Sequence, residues 1–325
     1  MKILVTGGAG FIGANLCRRL LDTPQVLEVR VLDDLSSGAK ANLEGLGVQL
    51  FEGSILDRQL VTEVAGGCAA IIHLAAVPSV PRSIAHPVAS HEANATGTLH
   101  VLEAARDAGG IHVVLASSSS VYGANPTLPK TEGMACLPMS PYAVSKLAGE
   151  NYAVAYARCY NLPVLPFRFF NVFGPLQAAG HAYAAVVPVF IDAAVQGRPL
   201  PVHGDGLQSR DFTYVETVAA VLVDAVLRKV TGGAVNLAFG SRIRLTDLVT
   251  ILEDVMGRRL HLEHYPPRPG DVRHSQADNS RLLDLFPNVT PVDLRSGIEQ
   301  TVQWFLRPSL GGSIPKPEEQ PPCRP

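Results

Sequence analysis

The stretch Ile3-Leu4-Val5-Thr6-Gly7-Gly8-Ala9-Gly10-Phe11-Ile12-Gly13 decides how the chain folds. A short apolar run meets glycines at 7, 10 and 13 and passes into an amphipathic stretch from Ala14, which reads as strand, tight turn and helix. Residues without a Cβ let the backbone approach a diphosphate, and the exposed N–H groups and the helix dipole hold it. An ordinary strand–helix turn also uses glycine, so the surroundings decide. A second apolar strand, Val29-Arg30-Val31-Leu32, ends at Asp33-Asp34, about 20 residues further on as a dinucleotide fingerprint requires. Asp33 is placed to accept from adenosine ribose hydroxyls. Its charge repels a 2′-phosphate, which predicts NAD as cofactor in preference to NADP.

The sequence has 325 residues, 47% hydrophobic and 17% charged, with a formal charge of −2. That is enough chain for a large core or two domains. Near-neutral charge without a basic block speaks against nucleic acid or an anionic membrane surface as partner, and leaves local basic clusters for a phosphorylated small molecule. The chain enters its first strand without a charged leader, and no apolar run approaches the roughly 18 residues of a membrane span. A soluble, cytoplasmic protein is expected. Cysteines at 17, 68, 136, 159 and 323 show no C-x-x-C spacing, so neither disulfides nor a metal site is expected.

Beyond Asp34, Leu35-Ser36-Ser37-Gly38 is turn chemistry whose hydroxyls can wrap the adenosine side of a cofactor. A strand at 48–51 leads to Gly53-Ser54-Ile55, positioned for adenine contact. The strand from Ala70 ends in His73-Leu74-Ala75-Ala76, where small residues admit a flat ring and His73 reads as a strand-end histidine rather than a catalyst. A helix is expected over 91–109, a strand over 111–116, and then the serine loop Ser117-Ser118-Ser119-Ser120-Val121-Tyr122-Gly123 at the rim where open α/β sheets bind ligands.

Tyr142 and Lys146, one turn apart on a helix over 142–159, face the same way. A phenol, with pKa about 10, serves as a base near neutrality only if a fixed cation stabilises the phenolate. Lys146 supplies one such cation and the nicotinamide ring another. Strand 162–167 runs into Arg168-Phe169-Phe170-Asn171, and the alternation to this point specifies a doubly wound parallel sheet. The pattern then loosens into helices at 183–197, 215–229, 245–256 and 293–306, strands at 200–203, 234–238 and 259–264, and a Pro-rich tail over 308–325 expected to be disordered. Arginines in the loops around Ser209-Arg210-Asp211 and Arg268-Pro269-Gly270-Asp271 suit bidentate grip on phosphate.

These residues resemble the extended short-chain dehydrogenase/reductases, and within them the nucleotide-sugar 4-epimerases, over about residues 1–306. The resemblance rests on Thr6–Gly13, Asp33–Gly38, His73–Ala76, the serine loop, Tyr142-x-x-x-Lys146, Arg168–Asn171 and Ser209–Asp211. It implies that Tyr142 removes the sugar 4-hydroxyl proton, that Lys146 lowers its pKa and binds the nicotinamide ribose, and that Ser118 hydrogen-bonds O4. Phe170 would lie at the nicotinamide and Asn94, in Asn94-x-x-Gly97, on the cofactor side. Asn171, Arg210 and Arg268 would hold the diphosphate of a UDP-sugar, and Asp271 the uridine ribose. Ser54 departs from the aspartate these enzymes carry beside adenine.

The dehydratase relatives carry an Asp-Glu pair after the serines and the decarboxylases a Glu. Ser119-Ser120-Val121-Tyr122 offers no carboxyl, which favours oxidation at C4, rotation of the 4-keto sugar and re-reduction. The stretch Ala75–Ser83 with Ser79, Gln177, and Ala182–Pro188 with Val186 resemble the branch acting on UDP-N-acetylated hexoses and their uronic acids. Ser275 takes the position where members restricted to UDP-glucose carry a bulky tyrosine. The alternatives are a UDP-glucose or UDP-glucuronate 4-epimerase and, in another class, a catalytically silent NAD-binding sensor or scaffold. The expected plan is a Rossmann domain over 1–174 with 205–228 returning to it, a smaller C-terminal α/β substrate domain over 175–204 and 229–306, and a homodimer built on the helices at 91–109 and 142–159.

Overall fold

The structure, a computed structural model, describes residues 1–180, 184–266 and 272–307. The chain opens with β1 (Lys2–Thr6), α1 (Phe11–Leu21), β2 (Glu28–Asp33), β3 (Gln49–Glu52), α2 (Arg58–Ala65) and β4 (Ala70–His73). Two short helices, α3 (Val80–Ala85) and α4 (Pro87–His91), lead through a π-helical turn at Glu92–Thr96 into α5 (Gly97–Asp107). Next come β5 (His112–Ser118), α6 (Pro141–Tyr160), β6 (Val164–Phe169), β7 (Asn171–Phe173), α7 (Val186–Val195), β8 (Leu200–His203), β9 (Ser209–Arg210) and β10 (Phe212–Tyr214). The chain closes with α8 (Val215–Leu227), β11 (Val235–Leu237), β12 (Ile243–Arg244), α9 (Leu245–Met256), β13 (Leu262–Tyr265), α10 (Ser280–Leu285) and α11 (Leu294–Phe305).

Seven parallel strands form the central sheet in the order β11-β6-β5-β4-β1-β2-β3. Its inner strands β1 and β4 are buried almost throughout because helices cover both faces, while β3 at the edge is part-exposed. Leu16 and Leu20 of α1 meet Val218 and Leu222 of α8 on one face, with Phe286 after α10. Val61 of α2, Leu102 of α5 and Ala153 of α6 fill the other. The strand order reverses between β4 and β1, and open α/β sheets bind ligands at such a switch point, beyond the carboxyl ends of the strands. A third core, around Phe173, Phe190, Leu200, Tyr214, Leu248 and Ile298, makes the smaller lobe facing that edge.

The doubly wound reading holds, and several boundaries are corrected. The helix expected over 91–109 begins at Pro87 and is interrupted by the π turn, which turns Asn94 inward. The strand expected at 259–264 starts at Leu262, because Arg258 and Leu260 donate their N–H groups back to Glu253 and close α9 instead. Residues 229–306 do not all belong to the smaller lobe. β11 pairs with β6 as the seventh strand of the main sheet, and Leu282 and Phe286 pack beneath it. The tail over 308–325 lies outside the described residues, as does residue 183, where helix α7 was expected to begin. Among the described residues no helix is long and apolar enough to cross a membrane, and no group of three or more His, Cys, Asp or Glu could hold a metal.

Two buried titratable side chains tie distant segments together. His73 lies between Thr6 Oγ1 at 2.7 Å from Nδ1 and Thr98 Oγ1 at 2.9 Å from Nε2. Thr98 already donates to the Asn94 carbonyl, so it accepts from Nε2–H and leaves Nδ1 to accept from Thr6. Burial, with the Lys146 charge second, pulls the imidazole down to about 3. Asp211 accepts from Ala277 N–H and the Ser241 hydroxyl, both at 3.0 Å, and joins β10 to the segments at 241 and 277. Burial pushes its carboxyl up to about 6 despite those bonds.

The two groups act on stability with opposite sign. A depressed histidine costs stability as pH falls from 6.5 toward 3. A raised aspartate contributes stability in acid that is lost as pH rises from 3.8 through 6. Removing the second contribution exposes the first. Asp211→Asn should steepen the loss of stability between pH 6 and 4 by about 1.4 kcal/mol per pH unit relative to the parent. Urea midpoints across that window would show it, and parallel curves would mean that Asp211 stays ionised.

Candidate active site

The turn after β1 is shaped by contacts that exclude side chains. Gly7 has φ +72°, and a Cβ there would stand 2.6 Å from the Ala75 backbone nitrogen. A Cβ on Gly13 would stand 2.2 Å from the Gly7 carbonyl oxygen. The first turn of α1 is therefore drawn against the end of β4, with its free N–H groups facing a cleft of about 3300 Å³ along the carboxyl edge of the sheet. Gly10, Phe11 and Ile12 line the same edge. Asp33, at the end of β2, accepts from Ala9 N–H at 2.8 Å and Leu35 N–H at 2.9 Å, so one carboxylate holds the glycine turn and the loop after β2 together. Each oxygen keeps a lone pair for a ribose hydroxyl. Burial raises this carboxyl above its ordinary value, opposed by the two N–H bonds.

The walls expected to receive the adenosine and nicotinamide halves are in place. Asp34, Ser36, Ser37 and Gly38 line the cleft beyond β2, and Ser54 and Ile55 line it beyond β3. Leu74, Ala75 and Ala76 form its wall beyond β4, and Phe170 its wall beyond β6. A cradle that side chains would fill, closed by an acid at the second strand, fits a dinucleotide without a 2′-phosphate.

Helix α6 starts at Ser140, whose hydroxyl accepts from Ala143 N–H at 3.2 Å, and Pro141 fixes the first turn. That start sets Tyr142 and Lys146 on one stripe at the cleft, facing Ser118 and Ser119 at the end of β5. Ser118 Oγ accepts from Ser120 N–H at 3.2 Å and from the Ser120 hydroxyl at 2.8 Å. With both lone pairs engaged, its own proton is free to be donated, and its hydrogen bond to Tyr142 favours the phenolate. Burial works the other way and holds the Tyr142 phenol above its ordinary value. Burial also pulls the Lys146 ammonium down to about 8. The cleft thus carries a phenol, a donor hydroxyl bonded to it and, one helical turn on, a desolvated ammonium.

Ser79 and Gln177 line the same cleft, with Asn171. Ser79 has φ +97°, a strained conformation for a residue with a Cβ, and caps α3 by accepting from Arg82 N–H. Gln177 donates to the Val172 carbonyl at 3.2 Å, while its buried Oε1 has no partner.

Other expected residues lie elsewhere. Asn94 is 1% exposed and does not line the cleft. Its Oδ1 accepts from Val77 N–H at 2.8 Å, and its Nδ2 donates to the Val77 carbonyl and to Ser145 Oγ. Direct cofactor contact from this side chain is therefore corrected to a hold on the loop after β4. Val186 starts α7 against the core of the smaller lobe, beside the lining residue Ala185. Arg210 and Ser275 do not line the cleft either. Arg210 donates to the carbonyls of Ser209 and Arg273, and Ser275 N–H donates to Ser209. Arg268 and Asp271 lie outside the described residues.

Sequence reading passed over Glu150, and quoted Asp211 within Ser209-Arg210-Asp211 without giving it a role. The signal for Glu150 was available: Tyr142, Lys146 and Glu150 continue one four-residue spacing along the same helical stripe. Asp211 carried no such signal, since its partners at 241 and 277 are remote in sequence.

The sequence profile of the NAD dependent epimerase/dehydratase family matches residues 3–238. The chain belongs to that family. Its cofactor is NAD, as the cradle and Asp33 require. A "UDP-glucose 4-epimerase" of Mycolicibacterium smegmatis is 38% identical over 315 residues, covering 95% of this chain and all of the relative. A UDP-N-acetylglucosamine 4-epimerase of Methanobrevibacter ruminantium, solved with UDP-N-acetylmuramic acid, is 34% identical with a TM-score of 0.88, covering 94% of this chain and 97% of that one. A UDP-glucuronic acid 4-epimerase of Bacillus cereus, solved with UDP-glucuronic acid and NAD, is 29% identical with a TM-score of 0.84, covering 94% and 98%.

The cradle makes a direct prediction for this family member. Gly13→Ala should weaken NAD binding by at least about tenfold, or roughly 1.4 kcal/mol, because the obstructing atom is backbone and cannot rotate away. Titration of the purified apoprotein with NAD measures it. An unchanged affinity would show that the turn relaxes freely.

Proposed function

We propose that this protein is an NAD-dependent 4-epimerase of a UDP-sugar, with UDP-N-acetylglucosamine or its uronic acid as substrate. The observation that carries the reading is the Ser118, Tyr142 and Lys146 constellation at the mouth of the glycine cradle, with no carboxyl among residues 119–122. When bound, NAD supplies the acceptor and returning donor of hydride at C4. Tyr142 takes the 4-hydroxyl proton and later gives it back, so that neither proton nor hydride is consumed. Ser118 donates to the oxygen that Tyr142 deprotonates. Lys146 favours the phenolate and anchors the nicotinamide ribose. Asn171 holds the diphosphate from the cleft wall, Arg210 joins it by leaving the Ser209 and Arg273 carbonyls, and the resemblance adds Arg268 for the diphosphate and Asp271 for the uridine ribose.

The N-acetyl reading draws on two features. Gln177 lines the cleft and its buried Oε1 has no partner, so a turn of this amide toward the cleft would offer an acceptor to a substrate amide N–H. Ser275 stands off the cleft wall, its N–H bonded to Ser209, and enters only as the position where the resemblance puts a tyrosine in members restricted to UDP-glucose. UDP-glucose or UDP-glucuronate is the second reading, favoured by the names of two of the relatives above. A silent NAD-binding sensor has no use for a phenol base beside a desolvated lysine. The protein works as a homodimer, in this reading, through the exposed Val88 of α4 and Val144 and Tyr152 of α6. A light-scattering mass of one chain under assay conditions would reject the dimer.

Tyr142→Phe should keep the fold and bound NAD yet lose at least about a hundredfold in kcat. Wild-type turnover by that variant would remove Tyr142 from the mechanism. Turnover of a UDP-sugar panel, followed by NMR at the C4 proton, should interconvert epimers without net NADH; stoichiometric NADH would point to a dehydrogenase. Ser275→Tyr should abolish activity on UDP-N-acetylglucosamine by steric overlap while sparing UDP-glucose. An unchanged ratio of the two kcat/KM values would return the substrate to UDP-glucose or UDP-glucuronate.

A further inference from the structure

Directly beneath the reacting hydroxyls lies a buried ion pair that the proposed mechanism does not use. Glu150 is 3% exposed and Arg168 5%. The guanidinium grips the carboxylate bidentately, Nε at 3.0 Å from Oε2 and a terminal nitrogen at 2.6 Å from Oε1. The Ser117 hydroxyl donates to the same Oε2 at 2.6 Å. Arg168 also lies over the Tyr122 ring at 4.8 Å.

The three partners come from three elements, and each stands next to a residue of the site. Ser117 precedes Ser118 on β5. Glu150 follows Lys146 by one turn and Tyr142 by two on α6. Arg168 precedes Phe170 and Asn171 by two and three residues at the end of β6. Ser117 and Arg168 are register partners across β5 and β6, so Glu150 reaches from the helix to two adjacent strands at one level.

Adhesion does not account for the pair. Burying both ions costs several kcal/mol each, and well-packed apolar groups of the same volume do as well or better. Helix α6 already has an apolar attachment to the sheet through Ala153 and Tyr156. Apolar contacts, however, tolerate sliding by a fraction of an ångström. A bidentate pair sharing an oxygen with a serine does not, and a donor hydroxyl facing a phenol must be held within about 0.5 Å to act.

We infer that Glu150, with Arg168 and Ser117, is a positioning unit that sets the spacing between Ser118 and Tyr142 by locking α6 to the ends of β5 and β6. Glu150 and Arg168 do not line the cleft and act through their neighbours, while Ser117 meets the cleft beside Ser118. The inference rests on Tyr142 being the base.

The test removes the lock while keeping its volume, in the triple variant Ser117→Ala, Glu150→Leu, Arg168→Met. No charge or serine hydroxyl of the unit is then left unpaired in the core. The full-length protein should unfold at or near the parent temperature and retain NAD, while kcat for the active UDP-sugar falls at least about tenfold and KM moves by less than about threefold. A stable, NAD-loaded triple variant with kcat within about twofold of the parent would overturn the inference. Should the triple variant fail to fold, Ser117→Ala decides. Its kcat should drop about three- to tenfold and be restored by Ser117→Thr, which returns the hydroxyl, whereas parental kcat in Ser117→Ala overturns the positioning role. Tyr142→Phe, run alongside, separates the two claims. Full activity there defeats the choice of base, and loss there with an active triple variant defeats only the positioning unit.

Discussion

Everything at the site depends on one close approach, that of the Gly7 backbone to Ala75. Because neither side offers a side chain at the contact, β1 delivers α1 directly against the end of β4, and the N-terminus of that helix opens onto the cleft. Asp33 then fastens the turn to the strand on the other side through Ala9. Three neighbouring strands are thereby closed around one row of N–H donors, where the switch in strand order leaves room for a ligand.

Burial sets the electrostatics of the phenol and the ammonium at the cleft. Burial lifts Tyr142 and depresses Lys146, so each group resists the charge it needs as base and as stabilising cation. On the mechanism proposed above, the positive nicotinamide ring of bound NAD would offset the cost of the phenolate. Ser118 supports the same outcome through a proton made available by Ser120.

Residues acting through local spacing were legible in the sequence. The glycine turn, Asp33, the serine loop and the Tyr142/Lys146 pair all follow from short-range periodicity, because a strand end and a helix stripe are defined within a few residues. Asn94 was noticed and misplaced: its spacing to Gly97 marks a special position, but nothing local says that its amide is spent on Val77 and Ser145, which come near only in the folded sheet. β11 was read as a strand but assigned to the wrong layer, since its pairing with β6 spans a whole lobe of intervening chain. Asp211 was quoted in a motif, but its partners Ser241 and Ala277 were out of sight for the same reason.

The π turn at Glu92–Thr96 sets the helical phase of everything after it. A π turn holds one residue more than an α turn, so α5 is rotated by about 100° relative to a continuation of α4. Only in that phase does Thr98 meet His73 and Gly97 lie flush against Ile55. The two ends of this helical run obey different demands: α4 presents Val88 outward, and α5 presents its threonine and glycine to the sheet. The extra residue works as a phase shifter between them. A residue removed from or added to this run would turn Thr98 and Gly97 away from His73 and Ile55 together.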